Sequence, residues 1–399
     1  MSINSLVLRN HAPTFDIAQQ FATVGSPNVS IPYVIVPTGG KQSRLARRVS
    51  VKPVFELSQF RAKAVIDWLD IDLGLPRQTQ GVHINRTMKA EAGVSVYAQA
   101  LEKSGLIADS SSDTRTSDRF RIRLQEPTRF VVEKLLAVLG SRWGGVWDPI
   151  LRAIEVSVDF KPRVPSNSNL YAMTGLLQRH FVPFSLNAGR RGARPRVVVE
   201  SSVGSKVTRH LFDPKTHVYC APYVDGTLYF GAREDPISWR IMTKVSDQRT
   251  GSVATELTPD LHRSRIEVTL QREALVSLGI VSLEDLSDFR FERLKTEYFG
   301  FWIPTVPGVV DGAGMIKLLP VGYRHLDIFR RSGAYQFLQW EKALLEVGIS
   351  TSLRAGWRKK SDPSVLARRR LLGQEHLYML AYAELNRRTE DALRGLAWS

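Results

Sequence analysis

Four short segments of this chain alternate between apolar and polar residues, and that alternation limits its fold more than any other feature. Successive side chains of an extended strand point to opposite faces, so each segment sorts into two sides. In Ile66–Leu73, Leu69, Ile71 and Leu73 oppose Trp68, Asp70 and Asp72. In Arg119–Gln125, Phe120, Ile122 and Leu124 oppose Arg119, Arg121 and Arg123. Ile154–Phe160 sets Ile154, Val156, Val158 and Phe160 against Glu155, Ser157 and Asp159, and Arg265–Leu270 sets Ile266, Val268 and Leu270 against Arg265, Glu267 and Thr269. Thr227–Gly231 and Trp239–Lys244 are two further strand candidates.

Helical spacing falls between the strands. Thr128 precedes Phe130, Val131, Leu135, Val138 and Leu139, with Gly140 closing the run, and Asn169–His180 reads as a second helix. The pattern predicts an α+β fold, an antiparallel sheet with helices on one face and the other face open, plus a helical C-terminal region. Residues 1–60 read as an N-terminal appendage ending in a basic linker (Lys41, Arg44, Arg47, Arg48), 61–310 as the α+β domain, and 311–399 as a basic helical domain carrying Arg368–Arg370, Arg387, Arg388 and Arg394. Ser110–Ser117 reads as a flexible loop and Gly189–Arg196 as a basic one; each also fits a solvated surface loop.

Lys and Arg number 55 against 39 Asp and Glu in 399 residues, a net charge of +16. Such an excess concentrates polyanions at the surface, so a nucleic acid is the first partner to consider, although charge alone does not separate DNA from RNA, from an anionic membrane, or from a basic enzyme. No run approaches the roughly 18 apolar residues of a spanning helix, and Met1–Asn10 do not read as a leader, so no membrane partner is expected. Cys220 is the single cysteine, which excludes an intramolecular disulfide or a cysteine-held metal and fits the cytoplasm. No nucleotide-cradling loop, serine-nucleophile elbow or paired-histidine zinc helix is present.

The open strand sides hold Asp70, Asp72, Glu155, Asp159 and Glu267. These would repel unless a cation or arginines sat among them. Oxygen ligands without cysteine suit Mg²⁺ or Mn²⁺; pairing with arginine is the alternative. Arg119, Arg121 and Arg123 line one open strand side as candidate DNA contacts.

Gly226–Arg233 (GTLYFGAR), Trp239–Lys244 (WRIMTK) and Arg265–Arg272 (RIEVTLQR), with the upstream Arg152–Asp159 (RAIEVSVD), resemble in order and spacing the replication initiation factors of rolling-circle plasmids, filamentous phages and integrative elements. The resemblance covers roughly residues 65–300. It implies an initiator- or relaxase-like sheet that binds a double-stranded origin and single-stranded DNA, holds Mg²⁺ or Mn²⁺ on acidic side chains, and nicks one strand through a tyrosine. By position it makes Glu155, Asp159 and Glu267 the metal ligands, and Arg233, Arg240 and Lys244 phosphate contacts, with Lys244 in the catalytic set. Where those proteins carry the tyrosine this chain has Met242, followed by Thr243. Tyr229, on the open side of its strand, is then the first candidate nucleophile, ahead of Tyr219, Tyr223 and Tyr298. Three readings follow: a nicking initiator, a catalytically inactive DNA-binding protein with the same fold, and an RNA-binding sheet stacking bases on Trp68 and Tyr229. A helicase partner and a homodimer stay open.

Overall fold

The computed structural model describes residues 14–16, 29–39, 42–102, 113–183, 195–200, 206–213, 218–247, 255–354, 362–372 and 377–398. The chain begins with β1 (Thr14–Asp16), β2 (Ser30–Pro37) and β3 (Arg48–Pro53), followed by the long strand β4 (Phe60–Gln80). Next come α1 (Gly81–Ala92), β5 (Val96–Ala100), β6 (Thr116–Gln125), α2 (Arg129–Trp143), β7 (Trp147–Pro162) and α3 (Asn167–His180). β8 (Arg196–Glu200) and β9 (Lys206–His210) form a hairpin, as do the two-residue strands β10 (Phe212–Asp213) and β11 (Val218–Tyr219). β12 (Thr227–Phe230) and β13 (Ile237–Lys244) precede another short hairpin, β14 (Ser246–Asp247) and β15 (Thr255–Glu256), and then β16 (Arg263–Gln271). Short helices α4 (Arg272–Ser277), α5 (Leu283–Asp288) and α6 (Arg293–Tyr298) lead to β17 (Trp302–Val310) and β18 (Ile316–Leu318). The chain closes with α7 (Pro320–Arg354), α8 (Pro363–Leu372), β19 (Met379–Ala381) and α9 (Ala383–Arg394).

The architecture is α+β. Nine antiparallel strands form the main sheet in the order β5-β6-β4-β7-β16-β13-β12-β8-β9. All six expected strands lie in it, and the apolar sides of the four that alternate are buried: Leu69, Ile71, Phe120, Ile122, Val156, Val158, Ile266 and Val268 are all essentially inaccessible. Helix α3 covers this side, with Thr174 Oγ1 2.9 Å from Ser264 Oγ and 2.8 Å from Thr243 Oγ1.

A second sheet, β1-β2-β3-β17-β18 with β19 on β17, joins both ends of the chain. Strands from residues 1–60 therefore pair with β17 and form one sheet with the strands beyond residue 310, so the segment expected as an appendage is built into the fold. Period-two alternation is weak there because β2 and β3 carry prolines and mixed burial. Thr128 caps α2 as expected, but the helix runs past Gly140 to Gly144, whose φ of 88° suits a glycine cap. Residues 110–112, 189–194, Lys41 and Met1–Asn10 lie outside the described residues.

Helix α3 lies between the two sheets, buried almost all round from Met173 to His180. Its last residue locks the layers together. A carbonyl only accepts, so His180 Nδ1 donates to Trp302 O of β17 (2.7 Å), and Nε2 accepts from Tyr33 Oη of β2 (2.9 Å). Burial pushes His180 down to about 4, against the Trp302 hydrogen bond. At Gly333 (φ 80°) α7 breaks its helical geometry where a Cβ would stand 3.0 Å from Arg179 O, so the helix kinks around the end of α3.

Since His180 is protonated more easily when unfolded, its contribution is complete above pH 6.5 and declines as pH falls toward 4. Between pH 7 and 5 this amounts to about 2 kcal/mol. Denaturant unfolding at the two pH values should show that loss in the wild type. His180→Gln, destabilised at pH 7 by about 1–3 kcal/mol, should lose less on acidification; an equal loss would contradict this account.

Candidate functional site

The register of the main sheet lays the polar side chains of its open face in rows. Tyr229 (β12), Arg240 (β13), Glu267 (β16) and Ser157 (β7) are successive cross-strand partners in one row. On one side runs Ser238, Thr269, Glu155 and Trp68; on the other, Met242, Arg265, Asp159 and Lys63. The strands that carry the initiator-like motifs are thus neighbours, β7-β16-β13-β12, and their charged residues converge at the centre of the sheet.

Three carboxylates meet there. One oxygen each of Asp67, Glu155 and Glu267 lies within 4.8 Å of the others. Asp67 was hidden from strict alternation, which puts it on the apolar side with Leu69. It reaches the open face because β4 carries a β-bulge: Ile66 pairs with Val156 and Trp68 with Glu155, leaving Asp67 as the extra residue. Sequence alternation alone gives no signal for such an insertion.

Arginines bind the cluster from two sides. Arg265, with 2% of its side chain exposed, makes a bidentate pair with Asp159 (Nε–Oδ1 2.5 Å, Nη2–Oδ2 2.8 Å) and reaches Asp67 Oδ1 at 2.7 Å and Glu267 Oε1 at 3.4 Å through Nη1. Arg240 Nη2 donates to Glu155 Oε1 (2.8 Å), and Thr269 Oγ1 donates to Glu155 Oε2 (2.7 Å). Arg240 Nε stands 2.6 Å from Glu267 Oε2 in an ion pair, and this buried oxygen makes no hydrogen bond among the described residues. Ser157 Oγ, directly across from Glu267, is buried and has no hydrogen-bond partner among the described residues.

Burial, and then the charge of Glu155, push Glu267 up to about 7 against the pull of Arg240 and Arg265. For Arg240, burial works downward, but the carboxylates of Glu267 and Glu155 outweigh it and the net shift is upward. Four carboxylates (Asp67, Glu155, Asp159 and Glu267) are bound by three guanidinium groups, those of Arg240, Arg263 and Arg265. An excess of carboxylates, with one Glu267 oxygen held only by an ion pair and Ser157 Oγ unpartnered beside it among the described residues, is a donor set that suits a hard divalent cation, so the residues fit Mg²⁺ or Mn²⁺. They differ from the expected set: Asp159 is taken up by Arg265 and Arg263, and Asp67 stands with Glu155 and Glu267 in its place.

The other expected residues separate. Tyr229 is half-buried beside Arg240, with Arg196 5.2 Å from its ring centre. Lys244 is paired with Asp247 at 2.9 Å, and Arg233 is exposed in the turn between β12 and β13. Arg121 and Arg123, read as phosphate contacts, form bidentate pairs with Asp72 and Asp70, with all four N···O distances between 2.6 and 2.8 Å. Arg119 alone of the three is exposed, with no carboxylate partner among the described residues. Trp68 is 9% exposed beneath the Arg123 guanidinium, 3.8 Å away, and is thus closed to an incoming base.

No protein-family model matches the chain, and no curated protein matches it. Among solved structures it is similar to a rolling circle replication initiator protein from Geobacillus stearothermophilus, at 11% identity and a TM-score of 0.27, over 70% of this chain and 95% of that one. At that score the likeness carries no argument about function, which rests on the site's own residues. Among the described residues no helix is long and apolar enough to cross a membrane.

Removing Arg265 leaves Asp159 with Arg263 alone and takes the guanidinium from Asp67 and Glu267. Arg265→Met should destabilise by about 3–5 kcal/mol in denaturant unfolding at pH 7.5, as breaking one side of a buried pair does. The deficit should shrink toward pH 4, where the stranded carboxylates take up protons. A loss under about 1 kcal/mol would show that Arg265 is not the organising cation.

Proposed function

We propose that this protein is a DNA-binding replication initiator of the rolling-circle kind, with a divalent cation held by Asp67, Glu155 and Glu267. One observation carries the reading: the three carboxylates converge on the face of the sheet opposite helix α3, two of them on β7 and β16, whose motifs resemble such initiators, and Glu267 Oε2 there makes an ion pair with Arg240 but no hydrogen bond among the described residues. The net charge of +16 supplies the attraction for a polyanion.

A cation bound there would offset negative charge developing on a phosphodiester. The chain's own residues do the rest. Arg240, with about a third of its side chain exposed, is the most exposed member of the cluster, so it is placed to turn from Glu155 and Glu267 to a phosphate when a cation takes up those carboxylates. Tyr229 sits beside it and is the nucleophile of the proposal. Its oxygen forms a bond to phosphorus as the P–O3′ bond breaks, the phenolic proton leaves to solvent, and the freed 3′ oxygen takes up a proton.

A second reading is favoured by a specific observation. Met242, at the position of the initiators' tyrosine, points to the open face across from Arg265, and a thioether cannot serve as the nucleophile. In this reading the protein binds its DNA without cutting it.

Supercoiled plasmid carrying the genomic segment around the gene, incubated with Mn²⁺ or Mg²⁺, separates the two. The proposal expects protein-linked DNA from the wild type, none after chelation, and none from Tyr229→Phe or Glu267→Gln although both still bind DNA. Binding without any covalent product would leave the second reading standing. Absence of DNA binding at moderate salt would overturn both.

A further inference from the structure

At the other end of the open face the sheet displays side chains that folding does not explain. Trp147 is 53% exposed and Ile150 is 42% exposed, both at the start of β7. Strict alternation would send residues 147 and 150 to opposite faces. The register places them on the same one, because Asp72 pairs with Ile150 and Gly74 with Trp147, so β7 carries an extra residue between them. Asp148 takes the left-handed backbone there, at φ 46°, a conformation that costs a residue other than glycine free energy. The strain returns no burial: its product is an indole and an isoleucine held in solvent.

The indole is also seated. It lies over Gly74, where an added Cβ would stand 3.4 Å from Trp147 Cε3 and 3.6 Å from its Cβ. On the other side of Gly74, its cross-strand partner Arg119 is the exposed arginine with no carboxylate among the described residues, while Arg121 beside it is neutralised by Asp72. Strand alternation directs Asp118 to the opposite face from Arg119. From Trp68, which pairs with Glu155 of the acidic cluster, Gly74 is six residues along β4, or about 20 Å.

We propose that Trp147 is a stacking platform for an unpaired nucleobase, with Arg119 holding a phosphate of the same strand. This rests on the reading that the open face binds DNA and specifies the form bound there: single strand, because in a duplex the faces of the bases are already stacked. An aromatic ring open on one side with a free guanidinium next to it is the pairing that single-strand sites use. Two exposed apolar residues are too small a patch for a stable protein interface, and the unpaired cation favours a polyanion.

Fluorescence anisotropy with a labelled mixed-sequence oligonucleotide of about 20 nucleotides, and with the corresponding duplex, tests this over a range of salt. Trp147→Ala, truncating a half-exposed side chain, should keep the wild-type melting temperature. It should weaken single-strand binding by about 5- to 100-fold with the salt slope and duplex affinity unchanged, since stacking releases no counterions. Trp147→Phe should retain most of the affinity. Arg119→Gln should instead flatten the single-strand salt slope by about 0.7. If the wild type binds the single strand and Trp147→Ala binds it equally well, the platform is overturned while the DNA-binding reading stands. If the wild type binds neither probe, both fall.

Discussion

Arg265 is the charge around which the centre of the sheet is arranged. Its guanidinium, with 2% of the side chain exposed, touches Asp159, Asp67 and Glu267 and so joins β16 to itself, to β7 and to the bulge of β4. Desolvating these groups costs several kcal/mol each, and only nearly complete mutual pairing offsets it. The hydrogen bonding is complete for Asp159 and incomplete for Glu267, whose Oε2 meets Arg240 only as an ion pair and whose neighbour Ser157 Oγ has no partner among the described residues. The shortfall falls where the three carboxylates converge. A set of groups selected only for stability would be closed by one more donor, or replaced by apolar residues of similar size.

Most of the main sheet was legible because period-two alternation is strong wherever one face is buried. Ile154–Phe160 and Arg265–Leu270 read correctly down to which residues face the core. The site was legible only in part, since alternation counts residues and a bulge breaks the count. Asp67 and Ile150 both reach the open face through insertions that no local composition announces. The pairing of Asp159 was hidden for another reason: acidic residues on one strand side look alike in sequence, and only the register shows Arg265 as the partner of Asp159. The role of residues 1–60 was likewise a long-range matter, because β3 finds its partner β17 some 250 residues away in the chain.

The open face then divides into three zones with different chemistry. At the centre, carboxylates in excess over guanidinium groups suit a divalent cation. Beside them, Arg123 and Arg121 are spent on Asp70 and Asp72, which stiffens the sheet but leaves little charge for a ligand. At the far end, Arg119 has no carboxylate partner among the described residues and Trp147 is half exposed. A nucleic acid crossing this face would therefore be held at two separated places, with the paired arginines between them serving as a neutral surface. The sequence grouped Arg119, Arg121 and Arg123 as candidate DNA contacts, and the ion pairs set Arg119 apart from the other two.

The central claim is that the cluster holds a divalent cation, with Arg240 covering the same carboxylates when no cation is bound. Crystals of the full chain soaked in Mn²⁺ and measured for anomalous scattering test it most directly. The account predicts one manganese peak bounded by Asp67, Glu155 and Glu267, with Arg240 turned away from Glu155 and Glu267. Fully soaked crystals with no peak at the cluster, and with Arg240 still paired to both glutamates, would contradict it.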